Sequence, residues 1–162
     1  LVIDPTTYGT STVGTATTYR TTYAMKFSGS PGTFTPDETI TQTNSDSLVA
    51  TGKVIEYDAT LQILYYQHEK FSGYGTLSST GGLNLFSGTG TVTGGTSSAT
   101  GTPDSSADSA VSLSGGNTIT FTNGYANPEL QPDSGNIIYR ENRKPISRAT
   151  DQTEDIKIIV EF

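Results

Sequence analysis

The chain has 162 residues and a mass of 17.1 kDa, enough for one domain with a real core, and its hydrophobic fraction of 32% predicts a core that is thin for the amount of ordered backbone. A formal charge of -7 argues against nucleic-acid binding, which draws its affinity from Lys and Arg against phosphates. The absence of Cys excludes disulfides, thiolate metal sites and Cys nucleophiles, and no apolar run reaches the roughly 20 residues that would cross a bilayer as a helix, so a soluble protein without membrane contact is expected.

Residues 1–16 are dominated by Thr, Ser and Gly after Val2-Ile3, and they predict an extended segment that lies on something else or is disordered alone. A β-sandwich domain is expected over 17–162. Its first strand is predicted over Thr17–Phe27, with Tyr19, Thr21, Tyr23, Met25 and Phe27 sharing one face. Leu48–Tyr57 and Leu61–Gln67 form the clearest hairpin, broken at Asp58-Ala59-Thr60, where an Asp side chain can bond its own downstream backbone. Both faces of the second run carry apolar groups, so that strand should be covered on two sides.

Residues 72–116 are rich in Gly, Ser and Thr. Within them Gly94–Gly101 reads as flexible, 94–116 is expected to be one long loop, and a short strand is allowed at Gly90–Thr93. Asn117–Phe121 is a further strand, stopped by Asn123-Gly124, and Ile137-Ile138-Tyr139 and Asp155–Phe162 close the series. The fold class is therefore all-β, a mainly antiparallel β-sandwich with long Gly/Ser/Thr-rich loops.

Chemistry-bearing patterns are sparse. His68, the single histidine, has no nucleophile and orienting carboxylate beside it in sequence and is expected to be an ordinary surface or interface residue. Asp104 and Asp108 lack the ligand spacing of a calcium loop. Glu56 with Asp58, and Glu154 with Asp155, would need a pocket to become an acid–base pair. The Gly-rich stretches lack the Lys-Ser/Thr ending of a phosphate loop. No catalytic residue, cofactor or metal is expected, and the chain reads as a non-enzyme. The one basic concentration runs from Arg140 to Arg148; Arg140, Asn142, Arg143 and Arg148 are the candidate interface residues, because Arg can pair with carboxylates in two-pronged geometry.

The C-terminal third carries a distinctive order: Gly124-Tyr125, Pro128-Glu129-Leu130, Pro132, Ser134-Gly135, Ile137-Ile138-Tyr139, Glu141-Asn142-Arg143, Pro145-Ile146-Ser147-Arg148 and Gln152–Phe162. This run resembles the end of the baseplate wedge subunit (gene product 8 family) of T-even-like contractile-tailed phages. Upstream, Phe34 with Glu38-Thr39-Ile40, Ala50–Val54 and Leu64–Gln67 look like the family's preceding β region. The resemblance implies a structural protein of the virion tail baseplate, assembled in the host cytoplasm, with other wedge proteins as partners and a homodimer in the full-length protein. It also implies that an N-terminal half is missing before Leu1. A carbohydrate-binding or host-recognition β-module is the competing reading, suggested by nine Tyr residues but weakened by the lack of Trp.

Overall fold

The computed structural model describes residues 2–15, 17–18, 20–45, 47–69, 84–106 and 110–140. The described residues are all-β, and the strands pair antiparallel as expected. The central strands are β2 (Tyr23–Ser28), β3 (Thr39–Thr43), β4 (Val49–Asp58), β5 (Ile63–His68), β6 (Val92–Gly94) and β7 (Thr100–Pro103). They run in the order β2-β5-β4-β3-β6-β7. β2 then pairs a second time, through Phe27 with Pro103 and Ser28 with Thr102, so the sheet closes on itself. The sandwich is thus barrel-like, and closure removes the open edges that isolated sheets must protect.

Period-two alternation explains which side chains fill this barrel. Met25 and Phe27 on β2, Ile40 on β3, Ala50 and Val54 on β4, Leu64 and Tyr66 on β5 and Val92 on β6 converge on one cluster with Phe34 and Phe86. Gly101 on β7 faces the Phe27 ring, and a Cβ there would lie 2.8 Å from ring carbons, so this strand can approach only without a side chain. A bulge between Val54 and Glu56 turns Ile55 outward to 47% exposure while Tyr57 stays against the core.

The predicted hairpin matches β4 and β5 to within two residues at each end. Asp58 Oδ1 accepts hydrogen bonds from the Thr60 and Leu61 amides at 2.8 and 3.0 Å, so the turn closes by the mechanism expected of that Asp. β5 is also covered on both faces. Leu64 and Tyr66 point into the barrel, whereas Ala24, Ile63, Ile119, Phe121 and Ala126 form a second cluster outside it, with Leu61, Tyr65, Val111 and Leu113 packed around.

That outer cluster is built by a second hairpin, β8 (Ala110–Ser112) with β9 (Thr118–Thr120), followed by β10 (Tyr125–Ala126), which pairs with β2 beside β7. Asn123 and Gly124 both take positive φ, 50° and 83°, and the Thr122 and Tyr125 backbones exchange two hydrogen bonds across them. This is the two-residue turn that Asn-Gly favours.

Two expectations change. The stretch 94–116 was expected to be one long loop, but it carries β7 and β8, and 95–98 is a tight turn between β6 and β7. Composition alone does not reveal that the turn is anchored by a residue far away in sequence, just before β3. Glu38 is 4% exposed, and its carboxylate accepts from the amides of Thr35 (2.7 Å), Thr96 (3.0 Å) and Ser97 (2.9 Å) and from the Ser97 hydroxyl (2.8 Å). Burial by itself would raise this carboxyl, but the Ser97 and Thr35 amides and the Ser97 hydroxyl outweigh it and hold the group below the ordinary carboxylate value.

The first central strand begins at Tyr23 instead of Thr17. The Arg20 carbonyl is already engaged by the Glu129 and Leu130 amides, at 2.8 and 3.1 Å, which leaves it outside the sheet. Tyr19 and the closing run Asp155–Phe162 lie outside the described residues.

Candidate assembly surface

The N-terminal segment lies on the chain's own later part. It folds back on itself through Thr7 N to Thr12 O and Gly14 N to Pro5 O, each 2.8 Å. It then grips residues 129–134: Tyr8 N donates to Glu129 O at 2.9 Å, Gly9 N to Gln131 Oε1 at 3.0 Å, Thr6 N to Ser134 Oγ at 2.9 Å, and Gln131 N returns a bond to Thr6 O at 2.7 Å. Arg20 fastens the same stretch from the barrel side. Its guanidinium donates to the carbonyls of Thr22 and Asn127, and its backbone amide donates to Glu129 Oε2 at 3.1 Å. Burial lowers the Arg20 pKa, an effect that the nearby Glu129 carboxylate opposes.

Beyond this strap, β1 (Val2–Ile3) pairs with β11 (Asn136–Ile137) as a separate two-stranded ribbon. Three of its four side chains are apolar and exposed, Val2, Ile3 and Ile137 (73%), and Ile138 (54%) and Tyr139 (56%), which follow it, are exposed as well. Exposed apolar side chains grouped along the chain in this way make the ribbon a candidate contact surface. An isolated two-stranded ribbon is also only marginally stable by itself. Arg140, one of the four candidate interface residues, follows directly and is exposed. Asn142, Arg143 and Arg148 lie outside the described residues.

His68, expected as an ordinary surface or interface residue, is partly enclosed by aromatic rings. Its ring meets Tyr23 at 4.6 Å, Tyr66 at 5.3 Å and Phe86 at 5.3 Å between centroids, and Nδ1 is buried without a hydrogen-bond partner. Burial pushes its pKa down to about 4. No feature of Gln67-His68-Glu69-Lys70 announces this, because the three rings come from β2, β5 and the segment before β6. His68 lies at one wall of a cleft of about 660 Å³ between the barrel end and the strap.

The carboxylates weighed for chemistry are placed apart. Asp104 Oδ1 accepts from the Ser106 amide at 3.0 Å and hydroxyl at 2.7 Å, which makes it a turn-forming residue. The Ser106 hydroxyl, then its amide, lower the Asp104 pKa. Asp58 caps its hairpin, and Glu56 sits at the bulge on exposed strand surface. Asp108, Glu154 and Asp155 lie outside the described residues. Among the described residues no three His, Asp or Glu side chains gather where they could hold a metal, and no helix is long and apolar enough to cross a membrane.

The structure adds two polar anchors whose role the sequence did not show. Gln42 is 1% exposed; its Nε2 donates to Gly90 O at 2.7 Å and to the Tyr125 hydroxyl at 3.0 Å, while its Oε1 accepts from the Ser87 amide at 3.0 Å. The Tyr125 hydroxyl in turn donates to Gly88 O at 2.8 Å. Glu38 is the other anchor, and in both cases the partner is too far away in sequence for a local pattern to show it.

No curated protein and no solved structure matches the chain. A family match does exist, and it begins at the hairpin β8–β9, takes in β10, the strap-bound stretch and β11, and bears out the resemblance of the C-terminal run: residues 110–162 match Phage-Gp8, the family of Bacteriophage T4, Gp8, a structural family of the phage baseplate.

Proposed function

We propose that the chain is a structural component of a phage tail baseplate wedge and contributes to virion assembly through protein–protein contacts instead of catalysis. The match over residues 110–162 carries this reading. The exposed apolar ribbon supports it, because Ile137, Ile138 and Tyr139 lie within the matched residues and present the kind of surface that a partner covers. Other baseplate wedge proteins are the partners, and the full-length protein forms a homodimer. Arg140, Asn142, Arg143 and Arg148 supply polar contacts to partner proteins, as charged residues do at assembled interfaces. The protein resides in the virion tail after assembly in the host cytoplasm.

Immunogold labelling of purified virions with an antibody raised against this chain tests the reading. Label confined to the tail tip is expected. Label on the capsid, or its absence from disassembled baseplates, would overturn it.

A further inference from the structure

The cleft between barrel and strap has one-sided chemistry. Its walls are apolar where Val2, Leu130, Pro132 and Tyr23 line it, and Asp133 is the one carboxylate on its lining, with no Lys or Arg beside it among the described residues. Among the described residues of the lining, the basic side chain is His68, and burial disfavours its charged form. The whole chain is acidic, with a formal charge of -7. Val2 belongs both to the cleft and to the ribbon, so the two surfaces are continuous. A volume of about 660 Å³ takes a short stretch of chain, more than a single side chain.

We propose that this cleft receives an extended segment of a partner protein carrying a lysine or arginine, the alkyl stem lying against Leu130, Pro132 and Tyr23 and the charged head pairing with the Asp133 carboxylate. Long basic side chains suit such a place, because the stem covers apolar surface while the head stays at a polar rim. The proposal rests on the assembly reading and gives it a recognition element: the ribbon supplies apolar contact, and the cleft selects for positive charge. Leu130, Pro132 and Asp133 all fall within the family-matched residues.

The test uses the full chain with small probes, so that it does not depend on any partner having been identified. Titration with n-butylammonium, n-propylguanidinium, n-butanol and methyl glucoside is followed through the Leu130 methyl and His68 ring signals by NMR. Both cations are expected to shift these signals saturably and to bind more than twofold more tightly than n-butanol. Asp133→Asn should abolish that preference, and Asp4→Asn, outside the lining, should leave it intact. Asn tolerates the positive φ of 60° at position 133, so the variant keeps the local backbone. Equal binding of n-butanol, a preference that survives Asp133→Asn, stronger binding of the glucoside, or no saturable shift with any probe would overturn the proposal. None of these outcomes bears on where the protein sits in a virion, so this inference can fail while the assembly reading stands.

Discussion

Gln42 Nε2 donates to the Tyr125 hydroxyl across 83 residues of sequence, at 3.0 Å. The bond joins β3 to β10, and Tyr125 carries it onward to Gly88 O, so one buried amide holds three separate parts of the chain at the barrel mouth. Burial pushes the Tyr125 hydroxyl up to about 12, against the opposing effect of the Gln42 bond, so it remains a donor throughout the ordinary pH range. Tyr125→Phe should cost about 1 kcal/mol, the net worth of a typical hydrogen bond, whereas Gln42→Leu should cost about 2–3 kcal/mol because it leaves the Ser87 amide and other groups unpaired. Urea denaturation of both variants checks the order; equal costs would contradict the network.

Glu38 gives a sharper case. Its two oxygens receive only donors, so Glu38→Gln places an NH₂ group against backbone N–H groups and should destabilise by about 2–3 kcal/mol, the range for hydrogen bonds to a charged group. The pH dependence has a definite sign. The folded pKa lies below the unfolded one, so the carboxylate's stabilisation is complete above the unfolded value and is lost as pH falls through the folded value. Thermal melts of wild type and Glu38→Gln should therefore converge at low pH.

His68 titrates higher. Its folded pKa of about 4 lies below the ordinary histidine value of 6.5, so the neutral ring favours the folded state above 6.5, and that contribution is lost as pH falls through about 4. The loss amounts to at most about 3 kcal/mol. His68→Phe keeps apolar contact with Tyr23, Tyr66 and Phe86 and removes the titration, so its stability should be flatter than that of wild type between these pH values. Parallel curves for the two proteins would show that the ring is not buried as described.

The family-matched segment should not fold alone. Phe121 and Ile119 need Ala24 and Ile63 beneath them, and residues 129–134 need the strap. A peptide of residues 110–162 should show no cooperative melt, and Phe121→Ala in the full chain should cost about 3–5 kcal/mol, the usual figure for emptying a buried aromatic site. A cooperative transition in the isolated peptide would make the match boundary a domain boundary.

What could be read from sequence was local. The Asp58 turn, the two-faced covering of Ile63–His68 and the Asn123-Gly124 stop all follow from residues within a few positions of one another, and alternation in Tyr23, Met25 and Phe27 marked the barrel interior. The features that escaped are contacts between distant parts. Gly94–Gly101 looked like free loop because the Glu38 carboxylate that fixes its turn lies 59 residues from Ser97. The enclosure of His68 was not legible because its rings come from three separate parts of the chain. At the candidate surface, Arg140 could be picked out by charge, but the pairing of Val2 with Ile137, which makes an apolar ribbon out of two unremarkable dipeptides, joins opposite ends of the described chain.

The proposed assembly role makes this ribbon the contact surface. Its most direct test is the affinity of the purified chain for the wedge proteins of the same virion, measured by isothermal titration calorimetry for wild type and for the double variant Ile137→Asp with Ile138→Asp. Both residues are solvent-exposed, so the variant should melt as wild type does. Wild type should bind saturably and the variant at least tenfold more weakly; unchanged affinity in the variant, or no binding by wild type, would rule out the ribbon as an assembly contact.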